Sequence, residues 1–348
     1  MDEKENTNRS LATDGTPRCH RRRLFMLAGA AGAVLVLLLA CLFGAWLLRG
    51  WRGDDDLGNR VPPGILAEYV PEDSEAVLAV NIRQMLETPV GRQHLGPFLQ
   101  QLIEKNGRQL PWLELAGIKS IEDIDSILIS FSPGVGGGPV WLARGRFDRS
   151  HFQIGSDKLQ EKILDRFRVW EHNDRLLKRI TLLAPVGNML VASETPGRVQ
   201  SALRQASNPQ PIHVRDAVLR ELLSKVDRRQ SLWLAASIRS LGPISNIDNY
   251  LLKMVLRPLL SHSESVDGGI SCGEDLRAEL HFSTATDEDA VQLEMDLKCL
   301  CEAAPGAALL GQQNELLPLL RFLGNGQIHR DGKLILLHCR LTADQGEK

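Results

Sequence analysis

Tyrosine is nearly absent, with 2 in 348 residues, and aromatic residues make up only 5% of the chain. Proteins that hold single-stranded nucleic acid stack its bases on aromatic side chains, which this chain barely supplies. Charge of one sign is missing as well: 41 Lys and Arg against 43 Asp and Glu leave a formal net charge of −2. Phosphate recognition rests on a basic footprint, so nucleic acid is excluded as a partner. No cysteine lies between Cys41 and Cys272. A disulfide-dense secreted scaffold spreads its cysteines more evenly, so that class is excluded too. There is no Gly-x-Ser-x-Gly elbow and no histidine pair at zincin spacing. The stretch Ser132–Pro139 (SPGVGGGP) has glycines but lacks a Lys-Ser/Thr pair and a following helix. It reads as a hairpin loop, not a phosphate cradle.

What the chain does have is one long uncharged run. Leu24–Leu48 (LFMLAGAAGAVLVLLLACLFGAWLL) holds 25 residues without a charge. As a helix it spans roughly 37 Å, enough for a hydrocarbon core of about 30 Å. Residues 1–23 are polar, predict a disordered tail, and end in Arg18, His20, Arg21, Arg22 and Arg23. The far flank carries Arg49 and Arg52, then Asp54, Asp55 and Asp56. The excess of Arg on the N-terminal side predicts a single-pass anchor in the cell membrane. Its N-terminus is cytoplasmic and its C-terminal domain extracytoplasmic. Trp46 and Trp51 fall near the outer interface, where indole rings prefer to lie. A cleaved signal peptide has a shorter apolar core. Leu38-Leu39-Ala40-Cys41 resembles a lipobox, in which Cys41 is acylated, but LFGAWLL follows where lipoproteins turn polar. Arg22-Arg23-Leu24-Phe25-Met26 resembles part of a twin-arginine signal. Each alternative still carries the bulk of the chain out of the cytoplasm. The bilayer is thus the first expected partner. Gly29, Ala33, Ala40 and Gly44 form a stripe of small residues along the anchor, which predicts a homodimer through it.

A linker at 49–66 contains Asp, Gly and Pro-Pro breakers. Beyond it, Glu75–Ile82 reads as a strand with the near-continuous apolar run Val77–Val80. Thr88-Pro89 then opens a helix carrying Leu95, Phe98, Leu99 and Leu102. Ile124–Phe131 and Val140–Phe147 read as a strand pair, followed by a helix around Ser150–Phe167. Val169–His172, Leu176–Leu183 and Met189–Ser193 read as strands, with a turn at Asn173-Asp174. Thr195-Pro196 caps a helix with Val199, Ala202, Leu203 and Ala206 on one face.

Asn208–His213 breaks the pattern, and Ser231–Arg239 is again a strand. It matches the first: Leu78, Ala79, Ile82 and Arg83 align with Leu234, Ala235, Ile238 and Arg239. A helix at Asp248–Leu260 follows, then a strand pair at Val266–Ser271 and Leu276–Ser283. Thr286 and Asp289 make a capping box for a helix reaching Ala304. Gly326–His329 and Leu334–Cys339 pair around Arg330-Asp331-Gly332, and His172 and Asp174 align with His329 and Asp331. These matches predict an α+β fold after one transmembrane helix. Two related antiparallel-sheet units are expected, 67–210 and 211–343, each with helices packed on one face, and a short tail at 344–348.

The stretch Tyr69–Gly91 (YVPEDSEAVLAVNIRQMLETPVG), placed after an N-terminal anchor, resembles the opening of uncharacterised bacterial N-terminally anchored extracytoplasmic proteins. That group has no established activity. The resemblance implies a place at the envelope and assigns no site residue.

The search for chemistry yields no catalytic, cofactor-binding or metal-binding set. Cys272, Cys299, Cys301 and the His338-Cys339 pair are the best metal candidates. Cys299 and Cys301 share a predicted helix at i, i+2 and so point to opposite sides, with Cys301 on the face of Leu293 and Leu297. These thiols read as free and packed in the core. Glu122, Asp123 and Asp125, or Asp287, Glu288 and Asp289, could supply an acid–base pair, but acids at helix starts answer the dipole. Arg144 and Arg146 share a strand face and could form a ligand-facing row. The expectation is a non-enzymatic protein that binds or scaffolds an unidentified envelope protein, without a cofactor. A carrier or sensor of a small apolar ligand held between the halves is one alternative, and an envelope hydrolase is the other.

Overall fold

The structure, a computed structural model, describes residues 66, 69–92, 96, 120–133, 137–146, 152, 159–174, 179–207, 214–239, 261–310 and 322–342. The predicted anchor, the small-residue stripe within it, Cys41, most of the helix expected after Thr88-Pro89 and the helix expected at Asp248–Leu260 lie outside these residues. Among the described residues no helix is long and apolar enough to cross a membrane.

Among the described residues twelve strands make one antiparallel sheet. They are β1 (Ala76–Val80), β2 (Ile124–Ser132), β3 (Gly138–Gly145), β4 (Leu159–Leu164), β5 (Phe167–Asp174) and β6 (Arg179–Val186). Then come β7 (Met189–Ser193), β8 (Leu232–Ser237), β9 (Ser265–Cys272), β10 (Asp275–Ser283), β11 (Gln327–Asp331) and β12 (Leu334–Thr342). The order across the sheet is β11-β12-β10-β9-β8-β1-β2-β3-β7-β6-β5-β4. Among the described residues the α-helices that flank it are α1 (Ile82–Glu87), α2 (Pro196–Ser207), α3 (Ala217–Lys225) and α4 (Asp287–Leu310).

The expectation of two separate sheet units with helices on one face is wrong on both counts. β1 and β8 pair directly, with Ala76 opposite Ala236 and Val80 opposite Leu232, so the two halves share a single sheet. The reason lies in the run Val77–Val80, which is buried on both sides. Pairing it with β8 removes two exposed apolar edges, each of which would present unpaired backbone groups. Helices also sit on both faces. On the first face Leu78, Val80, Ile129, Leu280 and Leu337 pack against Met85 of α1 and Leu293, Leu297 and Ala304 of α4. On the second face Val77, Ala79, Leu128, Leu142, Val191 and Trp233 pack against Val199 and Leu203 of α2 and Leu219 and Leu223 of α3.

The strand order is symmetric about the β1–β8 seam. Stepping outward from Ala79 through directly paired residues gives Leu128, Leu142, Val191 and Ala184. The same steps from Ala235 give Asp267, His281, Leu336 and His329. Each row ends in a hairpin turned by a glycine in the left-handed region, Gly187 at φ 58° and Gly332 at φ 56°. The predicted match of His172 with His329 therefore fails: His329 stands where Ala184 does, and the β4–β5 hairpin has no counterpart.

Several local expectations also fall. The first strand stops at Val80, and Asn81 caps α1 by accepting from the Gln84 N–H at 3.2 Å. Thr88 is the C-cap of α1 and also opens the next helical turn, as expected: its Oγ1 accepts from the Gly91 N–H at 3.1 Å and its carbonyl from the Arg92 N–H at 2.9 Å, with Pro89 and Val90 helical. The helix expected around Ser150–Phe167 gives way to β4 and the start of β5, with Asp165 turning between them at φ 59°. Asn173 and Asp174 belong to β5, opposite Ile180 and Arg179. Helix α3 answers a signal that sequence reading passed over: Asp216 accepts from the Leu219 N–H at 2.6 Å, and Leu219, Leu222 and Leu223 are buried.

Candidate functional site

Strand periodicity sorts the side chains of β9–β12. Leu276, Ala278, Leu280 and Phe282 of β10 and Ile335, Leu337, Cys339 and Leu341 of β12 enter the core beneath α4. Their alternates point to the second face. In the first half that face is apolar and lies under α2 and α3. In the second half Asp267, Glu279, His281, His338, Arg277, Arg340 and His329 take it over. Glu279, His338, Arg277 and Arg340 are exposed there. α3 packs mainly on β8 and touches β9. Among the described residues the result is a partly open polar sheet face, and in the row that starts at Ala79 its covered counterparts are the apolar Leu128, Leu142, Val191 and Ala184.

The face is internally ordered. His281 Nδ1 lies 3.0 Å from Asp267 Oδ2 on β9, and its Nε2 lies 3.0 Å from Glu279 Oε1 on its own strand. Glu279 Oε2 is 4.0 Å from His338 Nδ1 on β12. The bond to Asp267, followed by that to Glu279, outweighs burial and holds the imidazole above its usual 6.5. Next along the face, Asp275 accepts from Arg277 Nε at 2.8 Å and from Arg340 Nε at 2.5 Å. The Arg277 bond leads in holding that carboxyl below its usual range. Three of the five histidines among the described residues lie on this face. With histidine neutral, Asp267, Asp275, Glu279 and Asp331 outnumber Arg277 and Arg340, so the face is mildly acidic.

A second polar cluster is sealed. Arg198, in the first turn of α2, is 2% exposed and donates to Ser130 Oγ at 2.9 Å, with Asp73 at 3.6 Å. Ser74 and Ser130 share a hydrogen bond, and both are fully buried. Burial first, then Asp216 and Asp73, raises the Glu75 carboxyl above its ordinary value. A substrate has no route to these serines, so this cluster holds the start of β1 against α2.

The candidates read from sequence do not converge. Cys272, Cys301 and Cys339 are buried free thiols in the core, and Cys299 is exposed on α4. Burial pushes the thiols of Cys272 and Cys301 up to about 11 and that of Cys339 to about 12, which makes them inert as ligands or nucleophiles. Among the described residues no group of three or more His, Cys, Asp or Glu side chains is arranged to hold a metal. Arg144 lies within β3, whereas Arg146 falls past its end and donates to the Glu122 carbonyl at 2.9 Å, so the two form no row. Asp123 closes a capping box with Ser120, and Asp125 pairs with Arg83. Asp289 is the capping-box partner of Thr286 at the start of α4 and also bonds His262 at 2.9 Å. The open face was missed because its histidines lie far apart in sequence. The alternation of His281 with Leu280 and Phe282, and of His338 with Leu337 and Cys339, was its only local sign.

No family model, curated protein or solved structure matches the chain.

Proposed function

We propose that this chain is a single-pass membrane protein with a cytoplasmic N-terminus. Its extracytoplasmic domain binds or scaffolds an envelope protein, and the open face of β9, β10, β12 and β11 is the surface it offers. One observation carries this reading: in the row where the first half places fully buried Leu128, Leu142, Val191 and Ala184 under helices, the second half places buried Asp267, half-buried His281 and Leu336, and exposed His329. A face built only to be solvated has no need of hydrogen-bonded charges fixed in register, whereas a docking surface gains specificity from them. A carrier of an apolar ligand would need a gap between the halves, but β1 and β8 fill that seam with backbone hydrogen bonding. A hydrolase would need an accessible carboxylate pair, but Glu75, whose carboxyl is raised, sits beside the sealed Arg198.

Two experiments test the reading. A periplasm-only reporter fused after Lys348 should be active, and a cytoplasmic one silent; the reverse would sink the topology. Full-length protein purified from its own membranes should lose its co-purifying partner on Glu279→Arg or His338→Glu. Arg204→Glu on α2 should retain it. Equal recovery from all three would overturn the assignment of the face.

A further inference from the structure

We propose that His281 is a proton switch on the open face, which holds Glu279 down when charged and releases it to a cationic partner segment when neutral. This rests on reading that face as the docking surface. The geometry carries it. A neutral imidazole has one N–H and one lone pair, so it can donate to one carboxylate only. His281 has carboxylate oxygens at 3.0 Å from both ring nitrogens, an arrangement that requires the imidazolium. The two acceptors are not equivalent. Asp267 is buried on β9, while Glu279 is exposed on β10. When the proton leaves, one ring nitrogen becomes an acceptor facing a carboxylate. Asp267, fixed by burial, keeps the remaining N–H, and Glu279 is the group free to swing out.

The surroundings favour release to a partner over recapture. Leu336 of β12 lies directly opposite His281, with His329 of β11 beyond it. Lys225 of α3 faces Asp267 electrostatically and not Glu279. Arg277 and Arg340, the cations nearest along the face, are both engaged by Asp275. That leaves His338, 4.0 Å from the other Glu279 oxygen, as the one neighbour on β12 that could take it. A released Glu279 therefore adds a carboxylate to a face that is already acidic. The natural occupant is a segment rich in Lys or Arg, bound more tightly as pH rises. Because the imidazole is held above 6.5, the switch point lies above that value.

The full-length chain labelled with 15N-histidine, in detergent micelles, gives the direct test. One imidazole should titrate above 6.5 and vanish in His281→Gln. Its midpoint should fall by about one unit in Asp267→Asn and by less in Glu279→Gln. The Glu279 carboxyl carbon shift should step at the same midpoint. Glu279→Gln alters an exposed residue and keeps the test open if Asp267→Asn folds poorly. An ordinary midpoint, or one that Glu279→Gln leaves unmoved, overturns the switch and leaves the docking face standing. A lysine-rich peptide should bind wild type several-fold tighter above the midpoint than below it, and Glu279→Gln should lose that difference. If the peptide does not bind at any pH while the titration behaves as expected, the docking surface for a cationic segment is overturned and the protonation chemistry stands.

Discussion

Arg198 shows what a single buried charge does here. Its guanidinium is closed in by Ser130 and Asp73, with Glu75 close by. Burial lowers its pKa, and the two carboxylates counter that. Removing one member of such a cluster leaves the others uncompensated, so Arg198→Met should lower stability by about 3 kcal/mol in urea unfolding. Stability close to wild type would show the cluster to be dispensable. Glu75 gives the pH dependence. Its carboxyl is raised in the fold, so the folded chain binds this proton more tightly than the unfolded one. The stability it contributes is full below 4.5 and is lost as pH rises through the folded value. Glu75→Gln removes that loss. The variant's advantage over wild type should therefore grow between pH about 4 and about 7, measured as urea midpoints. A constant offset would mean that Glu75 is not perturbed.

At the scale of the element, β9 depends on two adjacent glycines, Gly268 and Gly269, at each of which a Cβ would meet a neighbouring strand's backbone. Gly268 has φ 133°, and a Cβ there would come within 2.1 Å of the Glu279 carbonyl oxygen on β10. Neither the backbone conformation nor the space accepts a side chain. Gly268→Ala should cost roughly 1–3 kcal/mol and reduce soluble yield. Gly273→Ala, whose Cβ would meet nothing within 4 Å, serves as the control. Equal melting of the two would contradict this register. The same elements show what the sequence could reveal. β2, β3, β9, β10 and the β11–β12 hairpin were legible because apolar residues alternate and turns carry Gly or Asp. α4 was legible from Thr286, whose hydroxyl accepts from the Asp289 N–H as the capping box requires. β4 was misread as helix because the turn at Asp165 uses a non-glycine residue in the left-handed region. α3 was overlooked although Asp216, Leu219, Leu222 and Leu223 carry its signature. Strand ends went astray where capping overrode apolarity, as at Asn81.

For the whole molecule, the decisive fact is long-range. Nothing local says that β1 pairs with β8; the one hint was an apolar run with no polar alternate, the mark of a strand covered on both faces. That pairing turns two expected units into one sheet, whose second face is covered from the first half across the seam to β8 and, among the described residues, opens beyond β9. The seam can be tested by chemistry. Ala76 and Ala236 are directly opposed. Ala76→Cys with Ala236→Cys should oxidise to a crosslink that protects both thiols from alkylation, because paired Cα atoms lie within disulfide reach. Two fully reactive thiols would break the single-sheet architecture. The bare face is the central functional claim, and its most direct test is hydroxyl-radical footprinting of the full chain in intact cells against the purified protein. Leu336 and His338 should be protected in cells, while Met295, 55% exposed on α4 across the sheet, should react equally in both. Equal reactivity at Leu336 and His338 in cells and in isolation would contradict a partner docked on that face.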